Sequence, residues 1–230
     1  MRIKICGITK LDQGQAIAEI GATALGFICV PKSPRYITPE NIKNIIQKLP
    51  INIDKIGVFV NPKIDLLSEI ITNTQLNGIQ LHGDESPEFC NQLRHSIPNN
   101  IEIIKALRIK SPQDLKKANI YENYIDTLLL DAYHPEKLGG TGKTLDWKII
   151  EEFHPTSPWL LAGGLTPENV TKAIQKFILV SQTQIESNHK FNHNFCGIDL
   201  SSGVETAPGD KNLVKVRKLF SSLATLTMKK

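Results

Sequence analysis

Eight short, β-rich apolar runs recur along the 230-residue chain, each followed by a longer stretch of helical spacing, and this alternation constrains the fold more than any other feature. The runs are "IKIC" (3–6), "ALGFICV" (24–30), "KIGVFV" (55–60), "GIQL" (78–81), "IEIIKAL" (101–107), "TLLLD" (127–131), "WLLAG" (159–163) and "CGIDL" (196–200). Helical periodicity occupies 11–20, 39–48, 62–73, 86–95, 111–118, 146–153, 167–178 and 211–224. The strand runs show little apolar–polar alternation and no hairpin dipeptide joins the units, so the strands are expected to be parallel, buried on both faces and linked by helical crossovers. Eight such units predict a single (β/α)8 TIM barrel with parallel strands rather than an open sheet. Thr38-Pro39-Glu40, Ser86-Pro87-Glu88, Ser111-Pro112 and Thr166-Pro167-Glu168 each place a hydroxyl before a proline, the signature of a capped helix start.

No linker rich in Gly, Ser or Pro divides the chain, so residues 1–230 read as one catalytic domain. Residues 181–194, "SQTQIESNHKFNHN", are polar and follow neither period; they are read as a surface insertion between the seventh helix and the eighth strand. His189 and His193 have the spacing of two ligands on one helical turn, with Cys196 near, but no carboxylate or periodic helix accompanies them, and no metal site is assigned. No apolar run approaches the roughly 18 residues of a membrane span, and the start "MRIKICGITK" lacks the apolar core of a secretory signal. Cys6, Cys29, Cys90 and Cys196 are scattered without a CxxC pair, which argues against a disulfide framework and fits a reducing cytoplasm or stroma. The net charge of +4 comes without a basic block, so nucleic acid is not an expected partner, and a small anionic substrate suits the balance.

In this fold functional side chains project from the C-terminal ends of the strands. "AGGLTPENV" puts Gly163 and Gly164 between a strand and a helix start, and Ser201, Ser202 and Gly203 follow the next strand. Glycine lets backbone N–H groups approach an anion, and loops after strands seven and eight are the usual phosphate site, so these five residues are candidate phosphate ligands. Cys6 ends the first strand; it reads either as a small buried hydrophobe or as a thiol able to remove a proton from carbon. Asp131 ends "TLLL"; buried there it would hold a proton for donation, or equally serve as a cap or as a partner of Lys105. Arg35 in "PKSPRYI" suits a bidentate grip on a substrate carboxylate. His82 and Asp199 are further strand-end candidates for substrate contact, His82 reading first as loop support. Lys143 in "GGTGKTLDW" lacks the spacing of a nucleotide-binding loop.

Together "KICGIT", "GFICVPKSPRYI", "IGVFVN", "QLHGDE", "LLLDAYHPEKLGGTGKTLDW", "LAGGLTPENV" and "GIDLSSGVETAPGDKN" resemble, in order and over nearly the whole chain, the phosphoribosylanthranilate isomerases of tryptophan biosynthesis. The resemblance implies an Amadori rearrangement without metal or organic cofactor. In that reading Asp131 is the general acid, Cys6 the general base, Arg35 lies near the anthranilate, and the 163–164 and 201–203 loops hold phosphate. It leaves a monomer or a homodimer open. The chain departs from the family pattern at Leu145, at Asn212 and in the 181–194 insertion, none of which touches the expected acid, base or phosphate loops. Neighbouring barrels fit less well: indole-glycerol-phosphate synthase is expected to carry catalytic lysines on inner strands and ribulose-phosphate epimerase metal-binding histidines at strand ends. A non-catalytic phosphate-binding barrel would be expected to lack Cys6 or Asp131, and both are present.

Overall fold

The structure is a computed structural model that describes residues 1–132, 155–175 and 194–227. Its core is a closed parallel barrel in which each strand pairs with its sequence neighbours and the last pairs with the first. The strands are β1 (Arg2–Cys6), β2 (Ala24–Ile28), β3 (Asp54–Phe59), β4 (Gly78–Leu81), β5 (Glu102–Ile109), β6 (Thr127–Ala132), β7 (Trp159–Ala162) and β8 (Phe195–Leu200). Each lies within two residues of the run that announced it. The helices α1 (Leu11–Ile20), α2 (Pro39–Ile46), α3 (Ile64–Thr74) and α4 (Pro87–Ser96) follow the first four strands as expected. The expected helix at 146–153, the end of the one at 167–178, residues 181–193 and Lys143 lie outside the described residues.

The caps explain where the helices begin. Thr38 and Ser86 accept from the backbone N–H groups of Asn41 and Phe89, three residues on, with proline at the first helical position. Helix α5 (Pro112–Lys116) is shorter than its periodicity suggested and passes into a 3-10 turn at Ala118–Ile120. Asn119 and Tyr121 are weaker helix formers than the residues before them, and a tightened last turn is the common outcome. Thr166 accepts from the Glu168 N–H through its hydroxyl and from the Val170 N–H through its carbonyl, so it caps the entry; residues 167–169 form a turn that passes into regular helix at 170.

The expectation that no hairpin interrupts the chain needs one correction. After β8 a 3-10 turn (Ser202–Val204) leads into an antiparallel ribbon of β9 (Glu205–Ala207) and β10 (Asp210–Lys211), closed by Pro208 and by Gly209 at φ 80°. Proline followed by a positive-φ glycine is the chemistry of a tight turn. The last helix, α6 (Leu213–Thr227), therefore starts later than the expected residue 211. Asn212 caps it, its Oδ1 accepting from the N–H groups of Val214 and Lys215.

Strand alternation builds two apolar layers. One face of the strands packs outward on the helices through residues such as Ile5, Leu25, Ile79, Ile103 and Leu161. The other fills the barrel with Ala24, Ile56, Ile104, Leu129 and Leu160. Each fully buried Leu or Ile contributes about 1.5–3 kcal/mol. At the N-terminal end of the strands the barrel is plugged by ions: Arg2 makes two hydrogen bonds to Glu102, at 2.5 and 2.6 Å, and pairs with Asp54 at 2.9 Å. Thr127 donates to the same Glu102. Chemistry is thus confined to the other end.

Candidate active site

Residues Lys4 and Cys6 share the inward face of β1, since side chains alternate along a strand and Ile5 packs outward. Lys4 is fully buried and pairs with Asp199 of β8 at 3.0 Å. The Cys6 Sγ lies over Gly26 of β2, where a Cβ would come within 2.6 Å of the sulfur. Burial pushes the Cys6 thiol up and the Asp199 charge adds to this; the nearby Lys4 and Lys211 charges oppose the rise without cancelling it. Burial disfavours the Lys4 ammonium, but Asp199 and Cys6 more than restore it, so Lys4 stays charged beside the thiol. All four cysteines are free thiols.

On the β6 side of the same opening, Asp131 meets His82, whose Nε2 is 3.2 Å from Asp131 Oδ2. The other ring nitrogen, Nδ1, is 2.8 Å from the amide nitrogen of Gln80, two residues earlier on β4. Asp131 differs from expectation in being only partly buried, with its side chain 29% exposed, because it stands at the rim rather than within the run of leucines. Lys105 is not its partner: that ammonium pairs with Glu85 at 2.7 Å, both side chains being 1% exposed. His82 contacts Asp131 and precedes Gly83, whose N–H donates to Glu85.

Arg35 reaches the site from the loop after β2. Its Nε and Nη2 donate to Glu205 of β9 at 3.0 and 2.7 Å, a two-pronged grip on a carboxylate that belongs to the protein. The Nζ of Lys211 donates to the same carboxylate at 2.7 Å, with longer contacts to the carbonyl and hydroxyl of Ser201. Burial pushes the Glu205 carboxyl up, yet the hydrogen bonds and charges of Arg35 and Lys211 outweigh that and hold it below the usual carboxylate range. Burial lowers the Lys211 ammonium, with only partial compensation by Glu205. Gly7 turns the chain away from β1 at φ 81°, and a Cβ there would meet Arg35 Cδ at 2.9 Å and Ser201 Oγ at 3.2 Å. The thiol, Arg35 and the β8 loop therefore converge.

The two glycine- and serine-bearing loops lie against each other. A Cβ on Gly203 would fall 1.9 Å from the carbonyl oxygen of Leu165, so only glycine allows this approach. Gly163 and Gly164 have φ of 83° and 64°, and Asn169 bridges their loop by donating to the Gly164 carbonyl and accepting from the Thr166 N–H. Gly164 and Ser202 are exposed, Gly163, Ser201 and Gly203 partly so. Among the described residues no group of three or more His, Cys, Asp or Glu side chains could hold a metal ion. Cys196 belongs to the opposite end of β8, where its Sγ donates to the Trp159 carbonyl.

Lys4, Gln80, Glu205 and Lys211 were not singled out from the sequence, yet each holds a site residue in place. Two had a readable signal. Lys4 and Gln80 sit two residues before Cys6 and His82, and period-two alternation puts each pair on one face of its strand. Glu205 and Lys211 had none, because their roles depend on the ribbon.

A family model for N-(5'phosphoribosyl)anthranilate (PRA) isomerase matches residues 3–222. N-(5'-phosphoribosyl)anthranilate isomerase of Nostoc punctiforme is 56% identical over 225 residues, spanning 98% of this chain and 99% of the relative. That of Trichormus variabilis is 55% identical over the same length. Among solved structures, phosphoribosyl anthranilate isomerase from Thermotoga maritima superposes with a TM-score of 0.83 at 35% identity, covering 98% of this chain and 99% of its own. A phosphoribosyl anthranilate isomerase in complex with reduced 1-(o-carboxyphenylamino)-1-deoxyribulose 5-phosphate gives 0.79 at 32% identity, covering 98% and 99%. A barrel whose mouth gathers a thiol, a carboxyl, an arginine and two anion-ready loops thus coincides with a match over nearly the full length, and the chain belongs to the N-(5'-phosphoribosyl)anthranilate isomerase family.

Proposed function

We propose that Asp131 and Cys6 are the acid and the base with which this isomerase of tryptophan biosynthesis rearranges N-(5'-phosphoribosyl)anthranilate to 1-(2-carboxyphenylamino)-1-deoxyribulose 5-phosphate. Asp131 gives a proton to the ribose ring oxygen as the C1–O bond breaks, the lone pair of the anthranilate nitrogen supplying the push. The iminium so formed acidifies the C–H at C2, and the Cys6 thiolate takes that proton. The C–H electrons become the double bond of an enolamine, whose C2 hydroxyl then loses its proton as C1 gains one, giving the ketone. Protons and electron pairs balance at every step.

The observation that carries this reading is the placement of the thiol and the carboxyl at the ends of β1 and β6, separated by β7 and β8 around the same mouth. Gly163, Gly164, Ser201, Ser202 and Gly203 are proposed as the phosphate grip, lying on the two loops between those strands. Arg35 would anchor the anthranilate carboxylate; Glu205 occupies two of its donors and presets the guanidinium. His82 and Asp199 are proposed to contact the substrate; the support is that His82 meets the proposed acid and Asp199 meets Lys4 beside the proposed base.

The full chain is proposed to act as one catalytic barrel with 181–194 as a surface insertion, in the cytoplasm or a plastid stroma, as a monomer or homodimer. Among the described residues no helix is long and apolar enough to cross a membrane. The test is turnover of the fluorescent phosphoribosyl adduct of anthranilate, followed by loss of its emission. Cys6→Ser and Asp131→Asn are each expected to lose at least about a hundredfold in kcat. Full activity in either variant places the base or the acid elsewhere.

A further inference from the structure

Gln80 is 1% exposed and lies two residues before His82, so the two side chains leave the same face of β4. The hydrogen bonds of a neutral His82 ring are fixed from the Gln80 side. The amide nitrogen of Gln80 can only donate, so Nδ1, 2.8 Å away, is the bare acceptor. The ring hydrogen is then on Nε2, and Asp131 Oδ2 at 3.2 Å accepts it whether the carboxyl is ionised or protonated.

We propose that Gln80 is a positioning residue that, acting through the tautomer of His82, decides which oxygen of Asp131 carries the catalytic proton. Once Oδ2 accepts the His82 N–H, the acidic hydrogen of the neutral carboxyl resides on Oδ1, which becomes the oxygen that delivers it. The proposal rests on Asp131 being the general acid.

A second observation points the same way. The carbonyl oxygen of the Gln80 amide, Oε1, is buried without a hydrogen-bond partner among the described residues. An unpaired buried carbonyl is a net loss to folding, and an apolar side chain of similar size would remove it. The amide is therefore not placed for stability. What the position gains from glutamine is the N–H aimed at His82.

The test uses Gln80→Met, which keeps length and volume and deletes the amide. It is expected to unfold at or above the wild-type temperature while kcat falls about tenfold and KM stays within about twofold, a loss of orientation rather than of binding. In 15N-labelled wild-type protein, His82 is expected to show a protonated Nε2 and a bare Nδ1, a signature that Gln80→Met should lose. A folded Gln80→Met with wild-type kcat, a wild-type His82 protonated on Nδ1, or a large fall in melting temperature that assigns Gln80 to stability would each overturn the proposal. Asp131→Asn separates it from its premise: wild-type turnover there removes the acid assignment itself. A dead Asp131→Asn beside a fully active Gln80→Met removes the positioning role alone.

Discussion

Replacing Lys105 by methionine tests the reading of the β4 loop most directly. The Lys105 ammonium donates to the carbonyls of Leu81 and Gly83 and pairs with Glu85 at 2.7 Å. Glu85 in turn accepts from the backbone N–H groups of Asn61 and Gly83, and its own carbonyl accepts from the Tyr121 hydroxyl. The pair thus staples the loop after β3 to the loop that carries His82. With both side chains 1% exposed, Lys105→Met leaves a carboxylate buried without its counter-charge. Breaking a buried pair from one side costs about 3–5 kcal/mol. For a chain of this size about 2–4 °C accompanies each kcal/mol, so the melting temperature should fall by about 6–20 °C. Adding Glu85→Gln keeps an acceptor for the two backbone donors while removing the charge, and should restore at least about half of the loss. Thermal unfolding followed by circular dichroism measures all four proteins of the cycle. A single variant within about 2 °C of wild type, or a double variant that loses the sum of the singles, would refute the argument that an unpaired buried charge is the cause.

The ion triad around Glu205 should appear in acid. Because its carboxyl is held below the ordinary range, its contribution is present above the unfolded value of about 4.3 and is lost as pH falls through the folded value. The gap in melting temperature between wild type and Glu205→Gln is expected to be widest at neutral pH and to close on acidification below that value; a gap constant down to pH ~3 contradicts it. The raised thiol of Cys6 predicts a rise of activity with pH in a more alkaline window: the base form grows as pH rises, so kcat/KM should still be climbing beyond the ordinary thiol value of about 8.5. A plateau already reached below about pH 8 would show that Cys6 is not the titrating base. In Gly26→Ala the new methyl would come within 2.6 Å of the Cys6 sulfur and 3.0 Å of its Cα. The expected result is a destabilisation of about 1–3 kcal/mol together with a fall in kcat, and an unchanged kcat in the folded variant would mean that the thiol position is unimportant.

Much of the architecture is legible in the sequence, for local reasons. Strand "GIQL" appears at Gly78–Leu81 as expected, because a short buried run bounded by Asn77 and His82 has few other uses. The starts of α2 and α4 were readable because Thr38 and Ser86 act within three residues of themselves. Cys6 and Asp131 could be marked as site candidates by the same logic, since the end of a barrel strand is a position in the sequence as well as in space. Where local signals conflicted, the boundaries moved: α5 stopped early, and Asn212, noted as a departure from the family pattern, serves as the cap of the last helix.

What the chain itself determined, then, is the period of eight units and the set of residues delivered to one end of the barrel, because alternation, capping and turn chemistry act over a few residues. Only closure of the barrel decided their partners. Lys4 meets Asp199 across 195 positions, Arg35 meets Glu205 across 170, and His82 meets Asp131 across 49. Those contacts determine whether a thiol is charged, whether a guanidinium is already engaged and which oxygen of a carboxyl is left to act. They depend on burial and on distances of about 3 Å between strands far apart in sequence, and neither quantity exists until the first strand pairs with the last.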